Sequence, residues 1–329
     1  MNKKRIFSLL SSVALVSAGV FAQKPNQPNV IFILTDDLGY GDLGCYGSKL
    51  NRTPNIDNLA QNGIRFTDCY AAASISSPSR AALLTGRYPV RAGINGVFFP
   101  ESFSGLDNIE NTLPKVLQKA GYYTGIVGKW HLGHHYQYLP LQNGFNEYFG
   151  LPYSNDMSSV VYLRGNEVES WSVDQTQLTK TYTKEAINFI ERHKEKPFFL
   201  YLAHNMPHVP IFASDQFKGK SANGLYGDVI EELDWSIGEI IKKIRQLGLE
   251  EKHPDNFFKR QWSLAYRRTT WRQPWSSVSG KIYHMGGRSA GADHCLLERT
   301  NTTQCIYRSC KPDGLVSNNY FRLAKINTN

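Results

Sequence analysis

Val30-Ile31-Phe32-Ile33-Leu34-Thr35-Asp36-Asp37 is a continuous apolar run that stops on two adjacent carboxylates. Continuity, rather than alternation of apolar and polar residues, is the pattern of a strand covered on both faces in a parallel sheet. Asp36 and Asp37 then stand at the strand's carboxyl end, where open α/β sheets place ligands. Neighbouring carboxylates repel, and burying both unpaired raises a pKa sharply. A divalent cation resolves that conflict, and all-oxygen donors favour Ca2+ or Mg2+. A solvated Asp-Asp turn accounts for the same two residues without a ligand.

The same grammar continues downstream. A helix follows from Thr53-Pro54, with a hydroxyl at the cap and proline at the first helical position. Another runs from about Thr112 to Ala120, stops at Gly121 and feeds a strand from Tyr123 to Val127. Tyr182 to His193 reads as an amphipathic helix with Ala186, Ile187 and Ile190 inward, and Pro197 precedes a strand from Phe198 to Leu202. Val229, Ile230, Leu233, Ile237, Ile240, Ile241, Ile244 and Leu247 recur at helical spacing. Trp171 and Trp235 are expected in the core. Alternating strands and helices define an α/β chain with a mostly parallel sheet. From residue 253 this grammar stops: 262–275 has neither strand nor helix period, and 286–299 has no core face.

The 329 residues, 41% apolar, suffice for one large core or two modest ones. Lys3, Lys4 and Arg5 precede a mostly apolar stretch from Ile6 to Val20, with small residues up to Ala22. Residues 1–22 are therefore expected to be a signal peptide, and the protein periplasmic or secreted. That stretch is short of the ~20 residues a bilayer span needs, so no membrane span is expected. The net charge of +9 does not describe a nucleic-acid surface. Residues 253–329 hold 12 Lys/Arg against 4 Asp/Glu, whereas residues 1–252 hold 25 against 24. A recognition patch is normally interleaved with a folded face, and here the excess belongs to one end. Cys295, Cys305 and Cys310 also lie there, with no spacing that marks a zinc site or a disulfide framework.

Ser76-Ser77-Pro78-Ser79-Arg80-Ala81-Ala82-Leu83-Leu84-Thr85-Gly86-Arg87 carries the chemistry. It reads as a loop turning at Pro78 into a helix whose free amides point at Ser76, with Arg80 one turn in, which is an anion site. A serine-rich helix cap needs none of the rest. This run resembles the signature of the type I sulfatases, in which Cys or Ser before x-Pro-x-Arg is converted to formylglycine. The resemblance is nearest to the arylsulfatase A and N-acetylgalactosamine-6-sulfatase branch and covers about residues 28–251. It extends through 36–44 (Asp-Asp-Leu-Gly-Tyr-Gly-Asp-Leu-Gly), 128–133 (Gly-Lys-Trp-His-Leu-Gly) and 198–201 (Phe-Phe-Leu-Tyr).

The resemblance implies an alkaline-phosphatase-like sandwich, with a mostly parallel central sheet flanked by helices, hydrolysing sulfate esters. It makes Ser76 the formylglycine precursor and, with Asp36 and Asp37, a ligand of Ca2+. Arg80 would support the modified residue, and Lys129 and His131 would contact sulfate and nucleophile. His208, in the run 204–208, would protonate the leaving group, and Ser154 would touch sulfate. An aldehyde hydrate offers two hydroxyls on one carbon, one to attack sulfur and one to expel sulfate. A serine at position 76 implies a serine-type radical sulfatase maturase as partner, and an exported enzyme of this kind implies a sulfated carbohydrate substrate. His134, His135 and His204 are left as structural or substrate-facing. A phosphomonoester or phosphonate hydrolase of the same superfold, and a non-catalytic sulfoglycan-binding remnant, are the competing readings.

Two elements of the family pattern are missing: a later strand ending in Asp-Asn-Gly, and a Gly-Lys segment that grips sulfate. Reading bases two and three of each codon with base one of the next supplies both. Residues 260–265 then permit Asp-Asn-Gly-Pro-Trp, and 280–292 permit Gly-Lys-Phe-Thr-Thr-Trp-Glu-Gly-Gly-Gln-Arg-Val-Pro. Residues 297–303 permit Trp-Asn-Gly-Arg-Ile-Pro. The Gly from Trp262-Ser263 and the Trp from Met285-Gly286 are forced by the genetic code. The expectation is a frameshift near Lys252 to Asn256. A sulfatase catalytic domain, incomplete, would occupy 23–252. Residues 253–329 would be an out-of-frame, poorly ordered tail, and the chain as written would be inactive.

Overall fold

The computed structural model describes residues 27–67, 69–158, 160–250, 262–266 and 294–298. The strands, in chain order, are β1 (Val30–Thr35), β2 (Gly63–Arg65), β3 (Tyr123–Gly128), β4 (Glu147–Gly150), β5 (Tyr162–Arg164), β6 (Glu167–Ser170), β7 (Phe198–Ala203), β8 (Trp262–Tyr266) and β9 (His294–Glu298). Among the described residues they form one sheet in the order β2-β9-β8-β1-β7-β3-β4-β5-β6. The centre, β8-β1-β7-β3-β4, is parallel, and both flanks turn antiparallel.

The two central strands explain their own sequences. Ile31 and Ile33 of β1 enter one core cluster, and Phe32 and Leu34 enter the other. β7 repeats this, with Phe198, Leu200 and Leu202 on one face and Phe199, Tyr201 and Ala203 on the other. With both faces covered there is no solvent position to fill, so neither run alternates. Helices α1 (Pro54–Asn62), α4 (Leu178–His193) and α5 (Gly224–Gln246) cover the first face; α2 (Ser76–Thr85) and α3 (Leu113–Lys119) cover the second. Ala186 and Ile190 are fully buried and Ile187 is partly buried, as the helical period required.

Several expectations need correction. Pro78 lies inside the first turn of α2, which already starts at Ser76; a first-turn proline gives up an N–H that has no helical partner anyway. Trp171, expected in the core, is 77% exposed just after the edge strand β6, while Trp235 packs against Phe217. The antiparallel run β4-β5-β6 had no sequence signal because its strands are three or four residues long. β8 and β9 lie within stretches that lacked any strand period; ladder pairing is made by the backbone and tolerates sequences without one. The signal-peptide stretch and the rest of the 253–329 tail lie outside the described residues.

Gly128 ends β3 at φ +114°, and a Cβ there would sit 1.9 Å from the Ala203 carbonyl oxygen. No other residue fits that turn, which delivers the next residue, Lys129, to the carboxyl end of the sheet.

Candidate active site

The carboxyl ends of β1, β3 and β7 and the first turn of α2 meet at one buried charge, Asp36. It follows β1 directly and is 1% exposed, so the solvated-turn reading does not apply to it. Lys129 Nζ, itself fully buried, donates to Asp36 Oδ2 at 2.5 Å and to Ser154 Oγ at 2.8 Å. Arg80 Nη2 stands 3.6 Å from Asp36 Oδ1. Burial pulls the Lys129 ammonium below its usual range, and the Asp36 carboxylate opposes that pull.

Arg80 organises the other side. Its Nε donates to Ser76 Oγ at 3.1 Å, and its Nη1 donates to the Lys129 carbonyl at 2.9 Å and the Tyr201 hydroxyl at 3.3 Å. Nη2 makes no hydrogen bond among the described residues. Ser76, the first residue of α2, follows Ile75, which offers no side-chain cap. A helix start without a side-chain cap and a guanidinium with an unused N–H are donors for an oxyanion.

His131 is held at φ +60° and is 1% exposed. Its Nε2–H donates to the Phe98 carbonyl at 2.9 Å, which leaves Nδ1 as a bare, buried lone pair. Burial first, then Lys129 and Arg80, hold its pKa well below the usual value, so it is neutral. His208 donates from Nδ1 to the Val209 carbonyl at 2.6 Å and sets Nε2 3.8 Å from Asp37 Oδ2. All the sequence-derived site residues thus reach one end of the sheet. Asp36, Ser76, Arg80, Lys129 and Ser154 are linked by direct contacts; Asp37 and His208 pair beside them.

Other supports carried no signal in the sequence. Asn155 Nδ2 donates to the Pro210 carbonyl at 3.0 Å and pairs reciprocally with the Gln175 amide, tying the Ser154 loop to the His208 loop. Asp42 Oδ2 accepts from Gly39 N–H at 2.6 Å and from Tyr226 O–H at 2.8 Å, which fixes the loop carrying Asp37. Asp42 and Tyr201 fell inside motif segments, but Tyr226, Gln175 and the Phe98 carbonyl are reached only through the fold.

His204 proves structural. It is fully buried, its Nδ1 has no partner among the described residues, and burial pushes its pKa down to about 3. A buried neutral histidine adds stability above its unfolded pKa of ~6.5 and loses it as pH falls towards the folded value. The loss is about 1.4 kcal/mol per pH unit across that window. Urea midpoints measured from pH 7 to pH 4 are expected to fall less steeply in His204→Gln than in the parent; parallel slopes would contradict this assignment.

Asp36, Asp37 and Ser76 do not fit a resident Ca2+ by themselves. That ion takes about 6–8 oxygens, and among the described residues no group of three or more His, Cys, Asp or Glu is placed to hold a metal. The nearest carboxylate already answers two cations. Ser76 Oγ, by contrast, already accepts from Arg80 Nε, so an oxygen on that carbon has a cationic donor in place.

Arg80 and Lys129 meet on one buried carboxylate, beside a helix start without a side-chain cap, at the carboxyl end of an α/β sheet, where such folds place ligands. The Sulfatase family model matches residues 28–253, and the chain belongs to that family. It is 40% identical over 272 residues to N-acetylgalactosamine-6-sulfatase of Rattus norvegicus, covering 75% of this chain and 51% of that protein. It is 38% identical over 270 residues to arylsulfatase A of Homo sapiens, covering 74% and 53%. The chain spans about half the length of these curated relatives. Among solved structures, Ps i-CgsB in complex with k-i-k-neocarrahexaose matches with a TM-score of 0.72 and 27% identity, over 92% of this chain and 73% of the other. The expected fold, a mostly parallel sheet between helices, is borne out.

Proposed function

We propose that this chain carries the nucleophile side of a sulfuric ester hydrolase whose substrate is a sulfated carbohydrate. The observation that supports it most is the Ser76–Arg80–Lys129–Ser154 constellation around Asp36, in a chain of this family. Arg80 and Lys129 would neutralise the sulfuryl oxygens as charge develops, with Ser154 orienting one of them. His208, positioned at Nδ1 by the Val209 carbonyl, would present Nε2 to the leaving oxygen and deliver its proton. His131 is neutral and would act by position, not by charge. Formylglycine at position 76, made by a serine-type radical maturase, would supply a geminal pair of hydroxyls for attack and release. The basic, apolar leader supports export to the periplasm or medium.

Two similar proteins support the substrate class. One is named for N-acetylgalactosamine-6-sulfate, and another was solved with a neocarrahexaose. The reading is tested by comparing 4-nitrophenyl sulfate with 4-nitrophenyl phosphate, using the maturase-treated, frame-corrected protein. Sulfate is expected to be preferred in kcat/KM by at least about 100-fold, a ratio within reach of fixed polar donors. A preference for phosphate would transfer the site to the phosphomonoester hydrolases.

A further inference from the structure

We propose that Phe99, Phe103, His135 and Tyr136 form a stacking platform for the pyranose rings of a sulfated glycan whose ester enters the Ser76 pocket. The proposal rests on the sulfatase reading and adds the place where the rest of the substrate lies.

Three of these rings are largely exposed, and one of those is stacked. Phe103 is 83% exposed, Tyr136 67% and Phe99 53%. Phe103 stacks on His135, with centroids 5.5 Å apart and planes 19° from parallel. His135 lies 4.3 Å from His134, and His134 lies 5.1 Å from Tyr153. Tyr153 is bonded to Ser154, the hydroxyl that accepts from Lys129. A file of four rings therefore runs from exposed Phe103 to Tyr153, the chain neighbour of Ser154.

The two loops that carry this file are joined by one side-chain and one backbone hydrogen bond. His131 Nε2–H donates to the Phe98 carbonyl, and Leu106 N–H donates to the Leu132 carbonyl at 2.8 Å. Gly133, at φ +102°, approaches so closely that a Cβ would lie 2.7 Å from Gly105 Cα. Exposed aromatic rings on loops tied together in this way mark an interaction site. A file whose last ring precedes Ser154 in the chain has the substrate's own leaving group as its nearest occupant. Rings with an apolar face and a polar tip, such as Tyr136 and His135, match a sugar that offers C–H on its face and hydroxyl at its edge.

Titration calorimetry on the full chain tests this with inorganic sulfate, a tetrasaccharide carrying N-acetylgalactosamine-6-sulfate, and the same tetrasaccharide desulfated. Phe103→Ala and Tyr136→Ala change exposed rings, and circular dichroism verifies the fold. Each variant is expected to weaken the sulfated tetrasaccharide about tenfold while inorganic sulfate binds as before. Unchanged tetrasaccharide affinity in both variants overturns the platform, as does a parent chain that binds no tetrasaccharide. Tetrasaccharide binding that ignores sulfation, yet falls in both variants, keeps the platform and removes the sulfatase reading instead. In the frame-corrected enzyme, the same variants should raise KM for the tetrasaccharide about tenfold and leave KM for 4-nitrophenyl sulfate unmoved.

Discussion

A gene shifted by one base near codon 252, expressed with a serine-type radical maturase, is expected to yield a protein that hydrolyses 4-nitrophenyl sulfate, while the chain as written does not. The difference should be at least about 1,000-fold, the upper range for loss of a single preorganised charge-stabilising donor. Three of the six shifted codons across His253 to Lys259 are confined by the genetic code to Ile or Thr, another to Phe or Ser, and another to Leu or Ser. Such a run favours a buried strand, and the shifted reading of 260–262 permits Asp-Asn-Gly just after it, with the Gly forced. The arrangement copies β1, whose apolar run also ends on two oxygen donors. The fold has a place for it beside β1, where β8 now pairs in parallel along Ile31 to Thr35. The restored chain should also bind Ca2+ more tightly than the chain as written, because the shifted Asp and Asn would add oxygen donors to Asp36 and Asp37. Nucleotides that cannot spell those residues, or equal activity from both genes, would remove the frameshift from the account.

Lys129→Ala is expected to cost about 3–5 kcal/mol of stability, the usual price of stranding one partner of a buried ion pair. For a domain of this size that is a fall of roughly 10 °C in Tm. Both side chains are out of solvent, and Arg80 remains 3.6 Å from the Asp36 carboxylate. The double variant Lys129→Met with Asp36→Asn should not recover the loss, since it leaves the buried Arg80 guanidinium without its carboxylate. Thermal melts of the three proteins decide it; a Lys129→Ala melt within about 1 °C of the parent would mean that Asp36 is solvated or otherwise paired.

How much could be read beforehand depended on how local each signal was. β1 and β7 were legible because burial on both faces writes itself as an unbroken apolar run. Ser76 and Arg80 lie four residues apart, one helical turn, so their contact was visible in the spacing. Lys129 was identified by its motif, yet its partner Asp36 lies 93 residues away, and only the parallel pairing of β1, β7 and β3 brings them together. Tyr226 and Gln175 act on site loops from elements distant in sequence, and no period or motif announces that. Trp171 was misjudged because aromatic character alone does not say which side of an edge strand a residue follows.

The reacting centre itself is tested by the aldehyde content of position 76. Preparations of the frame-corrected protein with different degrees of maturation can be digested, and the Ser76 peptide weighed for loss of two hydrogens. Sulfatase rate should rise in proportion to the modified fraction and extrapolate to zero where Ser76 is intact. A rate that persists with unmodified Ser76, or that ignores the modified fraction, would place the chemistry elsewhere.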